Sequence, residues 1–291
     1  MTDDTIRTAA HDPVRVEALG IQREGFRISD VSFSVPRGGV VGMVGPNGAG
    51  KTTAIRALLG LVAPDAGTVR TFGCAPGSPE ALARIGIVLD QPTAAPEWRV
   101  DSIGRRLAPF YAEWDDALLR DMLDRLGVPR TQRVGELSRG QGVKLTLAAA
   151  LAQRPELLIL DEPSSGLDPA SRRQIGDVIR DFMIDPDHAV LFSTHITTDL
   201  DALADDLLVL VGGRVAYRGP LHEATETFAL ARGAGSPPRE HVLGVQRSGA
   251  GWTALVRMED SAVFDAGTVI DTAGIDDIVI HLGAEHQGVA A

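Results

Sequence analysis

Short aliphatic runs recur along the chain, and most are followed by a stretch with apolar positions three and four apart. "FRISDVSFSV" and "VVGMV" read as two strands parted by a "PRGG" turn, and the second leads through "GPNGAGKTT" into a helical "AIRALLGLV". A Pro/Gly-rich stretch at 64–79 reads as loop, "RIGIVLD" as a short strand, and residues 92–135 as mainly helical, with "YAEWDDALLRDMLDRLGVP" in helical register. Helix "LTLAAALAQ", strand "LLILD", helix "SRRQIGDVIRDFM", strand "AVLFSTH", a further helix and the strand "LLVLVGGRVAYRG" complete the pattern. Strands alternating with helices predict an α/β fold with a mostly parallel sheet covered on both faces. The pattern breaks near residue 222; "RGAGSPPRE" (232–240) reads as linker or loop, and "GWTALVRM" and the amphipathic "IDDIVIHL" follow. This predicts one unit over 14–222 and a small C-terminal subdomain over 223–291, with no internal repeat.

The totals narrow the partners. A formal net charge of −11 argues against a nucleic-acid binder, which usually shows a basic face. One cysteine, Cys74, excludes an internal disulfide framework and reads as a small apolar residue in a reducing compartment. The N-terminal stretch lacks the apolar core of a signal peptide, and no apolar run is long enough to span a bilayer. Any membrane role is expected to come through a partner.

Chemistry gathers at the ends of the strands. "GPNGAGKT" matches the phosphate-loop pattern between a strand and a helix. Gly45, Pro46, Asn47, Gly48, Ala49, Gly50, Lys51, Thr52 and Thr53 are expected to hold the phosphates of a nucleotide, with Lys51 on the β/γ-phosphates and the Thr52 hydroxyl on Mg²⁺. This leaves kinases, GTPases, helicases and transport ATPases open. "LLILDE" suits a central parallel strand whose end meets the ligand: Asp161 is placed to hold Mg²⁺ and Glu162 to take a proton from an attacking water. No N/T-K-x-D motif occurs, which removes the GTPase reading.

"LSRGQ" (137–141), "LLILDEP", "SSGLDP" (164–169) and "FSTH" (192–195) follow the phosphate loop in order, and together they resemble the nucleotide-binding subunits of ABC transporters, most of all single-cassette bacterial exporter-type or drug-efflux ATPases. The resemblance covers roughly residues 14–222. It implies a P-loop NTPase cassette with a mostly parallel sheet and flanking helices, a helical signature subdomain at about 92–150 and an N-terminal antiparallel β part. It also implies ATP hydrolysis, a second nucleotide-binding subunit (identical or not), and a transmembrane permease that holds the chain at the cytoplasmic face of the membrane. By the same resemblance Ser138, Gly140 and Gln141 face the nucleotide of the other subunit, His195 contacts the γ-phosphate and holds the water or Glu162, and Asp168 lies at the dimer interface. Asp168 also fits a plain helix cap before Pro169, and Ser138 one before the helix that follows it. A soluble ABC ATPase with no transport role is the alternative.

Three positions depart from the family pattern. Arg139 replaces a glycine, and stands either near a triphosphate or in solvent. The metal-sensing glutamine falls at Asp90 or Gln91, with Asp90 favoured as the harder oxygen ligand. The aromatic that stacks on adenine is missing from its place near "IQREG", where Gln22 and Arg23 stand; Phe26 or the Arg23 guanidinium could stand in, Phe26 also reads as core, and base selectivity is open. Coupling to the permease is placed at 92–115, with Tyr111, Trp114 and "EWRV" as anchors or as packing.

Overall fold

The computed structural model describes residues 12–89, 94–249, 251–265 and 267–288. Its centre is a six-stranded sheet built from β3 (Val40–Val44), β5 (Ile85–Val88), β6 (Leu157–Asp161), β7 (Ala189–Thr194), β8 (Asp206–Val211) and β9 (Arg214–Pro220), in the order β5-β6-β7-β3-β8-β9. Strands β5 to β8 run parallel with β3, and only β9 is antiparallel. Every residue of β3, β6 and β7 is buried, as expected of strands covered on both faces.

On one face lies a three-stranded antiparallel sheet, β2-β1-β4, made of β1 (Val14–Arg23), β2 (Phe26–Val35) and β4 (Ala66–Thr71). Its inward residues, among them Leu19, Ile28 and Phe33, share a core with Met43, Ile159 and the helix α1 (Lys51–Leu58). Helix α2 (Pro79–Leu82) precedes β5, and the other face carries helices α3 (Ile103–Leu107), α4 (Asp116–Arg125), α5 (Arg139–Ala152), α6 (Pro169–Phe182), α7 (Thr197–Leu203) and α8 (Leu221–Thr227), with the core of that side centred on α5 and α6. From Gly142 to Ala152 every residue of α5 is buried, so only its N-terminal turn reaches the surface.

The C-terminal region forms its own antiparallel sheet, β11-β12-β10-β13, from β10 (Phe228–Ala234), β11 (Leu243–Ser248), β12 (Gly251–Arg257) and β13 (Val269–Thr272), backed by helix α9 (Ile275–Gly288). It is not separate from the rest: Phe228, Leu230, Leu255, Ile275, Ile278 and Leu282 belong to the same buried cluster as Phe192 and Leu200.

Four expectations change. The single strand over "LLVLVGGRVAYRG" is a hairpin, because Gly212 (φ 53°) and Gly213 (φ 76°) turn the chain between β8 and β9. Part of the 64–79 loop is strand β4, paired with β1; its glycine and threonines carry little apolar signal, and pairing supplies the order. Helix α4 starts only at Asp116, where the Asp115 side chain accepts from Leu118 N, so "YAEW" lies outside it. Arg232–Ala234 of the expected linker are the end of β10.

Candidate functional site

The sheet register brings three strand ends to one edge. Val44 pairs with Thr194 and Asp161 with Ser193, so Gly45, Glu162 and His195 leave neighbouring strands together. The loop after β3 tightens onto α1 through Gly50, whose φ of 111° disfavours a side chain and which caps the helix with backbone alone. Lys51, first in the helix and 6% exposed, points back along the loop: its Nζ donates to Gly45 O at 2.6 Å and lies 3.4 Å from Glu162 Oε1.

Glu162 completes a chain of contacts. Its Oε2 is 2.5 Å from His195 Nδ1, and its backbone stands in the left-handed region at φ 53°. Such a conformation costs a non-glycine residue about 1–2 kcal/mol and persists only where the surroundings enforce it. Here Ser193 enforces it: Glu162 N donates to Ser193 O at 3.1 Å and to its Oγ at 3.2 Å. The same Ser193 hydroxyl donates to Asp161 Oδ1 at 2.5 Å, orienting a carboxylate that is 5% exposed. Ser193 was not singled out from the sequence; its role depends on register across two strands, which no local motif encodes.

Asn47 to Thr53 line a cavity of about 570 Å³ together with Asp161, Glu162 and His195. Gly45 and Pro46 face a second cavity, which His195 also borders. Phe26 and Leu61 give the first cavity an apolar side, whereas Arg23 is turned to Asp65 at 3.0 Å. Arg139 lines it too, so this departure from the family pattern faces the phosphate loop of its own chain. Asp90 and Gln91 lie outside the described residues; Leu89, just before them, borders the cavity. Thr52 and Asp161 supply hard oxygen donors suited to Mg²⁺, which keeps several waters and shares its ligands with phosphate. Among the described residues no three His, Cys, Asp or Glu side chains gather to hold a metal by themselves.

Of the signature stretch, Ser138, Gly140 and Gln141 do not border this cavity. Ser138 Oγ accepts from Gln141 N at 3.3 Å while Gln141 Oε1 accepts from Ser138 N at 2.9 Å, a closed capping box at the start of α5. Gly140 packs beside Leu167: a Cβ there would stand 3.4 Å from the leucine Cδ2. Asp168 caps α6, accepting from Ala170 N and Ser171 N at 2.9 Å and from Ser171 Oγ at 2.7 Å. The serine hydroxyl, then the backbone N–H groups, hold its carboxyl below the ordinary carboxylate value. Of the aromatics near 92–115, Trp98 and Trp114 pack against the core and Tyr111 against Trp114, while Phe110, unremarked in the sequence, is 79% exposed.

A phosphate loop, a buried aspartate and a glutamate–histidine pair at the edge of a parallel sheet define a P-loop nucleotide-binding protein. The sequence family described as ABC transporter matches residues 28–165. Nod factor export ATP-binding protein I of Rhizobium etli is 36% identical over 203 residues, 67% of this chain and 64% of its own. The protein of that name from Rhizobium sp. strain N33 is 35% identical over 225 residues, 73% of each chain. A solved structure of the ATP-binding subunit of an ABC transporter matches with a TM-score of 0.65 and 26% identity, over 72% of this chain and 91% of its own. The chain belongs to the ABC transporter family. It spans just under two thirds of the length of the R. etli relative.

Proposed function

We propose that this chain binds Mg-ATP and hydrolyses it as the nucleotide-binding subunit of an exporter, closing with a second such subunit to drive a separate membrane permease. One observation carries the reading: Lys51, Glu162 and His195 form a continuous contact chain beside buried Asp161. In this reading Gly45–Thr53 cradle the phosphates, Thr52 and Asp161 hold Mg²⁺, and Asp90 or Gln91 serves the same ion. Mg²⁺ held there would neutralise developing charge on the phosphates. Glu162 takes the proton of the attacking water, and His195, hydrogen-bonded to it, fixes the carboxylate and reaches toward the γ-phosphate. Phe26, on the apolar side of the cavity, stacks on the base.

Ser138, Gly140 and Gln141 act on the nucleotide of the second subunit. Two features favour this. The N-terminal turn of α5 is the one part of that helix left exposed, and Ser138 does not border the cavity of its own chain. In the capping box the Ser138 hydroxyl only accepts, which leaves its proton to donate to a phosphate oxygen. Asp168 lies between the two sites while capping α6. Residues 14–222 are the nucleotide-binding unit and 223–291 a C-terminal subdomain. The chain is held at the cytoplasmic face by its permease, with Phe110 as an exposed docking residue; among the described residues no helix is long and apolar enough to cross a membrane. The export direction follows the names of the relatives.

The test is Glu162→Gln. Loss of the base is expected to lower turnover about 10²-fold or more, with ATP still bound and the closed dimer accumulating on size exclusion. Hydrolysis at the wild-type rate would remove Glu162 from the role of base.

A further inference from the structure

We infer that the C-terminal helix α9 is part of the hydrolytic machinery, with Asp276 a positioning residue that fixes His195 through Thr197. This rests on the reading of Lys51, Glu162 and His195 as the hydrolytic centre.

His195 needs an external support. Its side chain is 46% exposed and held by a hydrogen bond to Glu162, so where the ring can stand also depends on the backbone of the 194–197 turn. That turn has two anchors. On the strand side, the buried Thr194 hydroxyl accepts from Ile196 N at 2.9 Å. On the helix side, α7 begins at Thr197 with Ile196 as its cap residue, and isoleucine offers no side-chain acceptor. The anchor there comes from outside: Thr197 Oγ1 donates to Asp276 Oδ1 at 2.5 Å, with Thr197 only 6% exposed. Beside the Ser164–Asp199 contact in the first turn of α7, this hold on the histidine turn comes from the C-terminal subdomain.

Helix α9 is itself fixed by burial. Ile275, Ile278 and Leu282 are at most 6% exposed and share a core with Phe192 of β7 and Leu200 of α7. A shift of α9 must therefore be felt by the elements on both sides of His195. The helix also runs beside the site: Val279, Ile280 and Gly283 face Gly45, Pro46 and His195 across a cavity of about 390 Å³. Asp276 does not border the phosphate-loop cavity; it acts by limiting where His195, and with it the Glu162 carboxylate, can stand. Small misplacements of a positioned group are enough to slow a reaction strongly.

Steady-state ATP hydrolysis by the full chain tests this, with Glu162→Gln run beside it. Asp276→Ala and Thr197→Val are each expected to lower kcat roughly tenfold or more with KM changed less than about twofold. The double variant should be no slower than either single one, because both remove the same hydrogen bond. Asp276→Asn keeps an acceptor oxygen and Thr197→Ser keeps the hydroxyl, so both should return to within about threefold of wild type. An Asp276→Ala chain with wild-type kcat, or a loss wholly in KM, overturns the inference. So does a Thr197→Ser variant as slow as Thr197→Val, a comparison that stands even where Asp276→Ala yields no folded protein. If Glu162→Gln is inactive and Asp276→Ala is not, only this inference fails. Wild-type turnover by Glu162→Gln removes the hydrolytic reading beneath it.

Discussion

Ser193 joins Asp161 and Glu162 by one hydroxyl, and it shows how little of a site one motif contains. "LLILDE" announces two acids, yet the left-handed backbone that turns Glu162 toward His195 is sustained by a residue 31 positions later. Ser193→Ala leaves the buried Asp161 carboxylate without that donor. The expected cost is about 1–3 kcal/mol, read in a urea titration, together with slower hydrolysis as Glu162 relaxes. Unchanged stability would mean that Asp161 finds another donor without loss. The phosphate loop was legible because its chemistry is contiguous. Ser193 was not, because its partners meet only through strand register. Arg139 and Phe26 were legible as alternatives, and the cavity shows both on its wall.

At the scale of elements, the central strands declared themselves as unbroken aliphatic runs, whereas the two pieces of sheet weakest in apolar signal did not. Strand β4 exists because β1 offers it a partner, and the β8–β9 hairpin hid inside an apparently continuous strand. The Gly-Gly pair was the missed signal. It carries a paired prediction. Gly212→Ala meets no atom within 4 Å and costs about 1–2 kcal/mol for its positive φ alone. Gly213→Ala costs more, since its Cβ would stand 1.8 Å from Arg27 O, a backbone atom that cannot swing away. Equal denaturation midpoints would show that the turn repacks freely. Helix caps, in contrast, were readable from sequence: Ser138 and Asp168 both sit where a capping residue was expected.

Across the whole molecule, separate layers are tied by one ionic cluster. Glu156, at the entrance to β6, pairs with Arg84 at 2.6 Å and with Arg37 at 3.0 Å, and Arg84 stacks on Phe72 of the flanking sheet region at 3.7 Å. The hydrogen bonds from Arg84 are the main cause that holds the Glu156 carboxyl below its ordinary 4.5, assisted by Arg37 and opposed by burial. A carboxylate lowered in the folded state stabilises fully above its unfolded value and loses that contribution as pH falls through the folded one. The unfolding midpoint should therefore drop as pH goes below about 4.5, and Glu156→Gln should flatten that limb. An unaltered acid limb in the variant would assign the pH dependence elsewhere. The C-terminal region belongs to this scale as well. Its composition break suggested an appendage, but Leu230, Leu255 and Ile278 bury in the core of the cassette.

By itself the sequence determined the α/β class, the phosphate loop, the acidic pair and the family, because each is written in residues close along the chain. Only the tertiary structure decided what aligns Glu162 with His195, which wall Arg139 occupies, and that the C-terminal helix reaches the histidine turn. Those facts depend on strand register and on which faces bury together, and the energy of such contacts is shared between residues far apart in the chain.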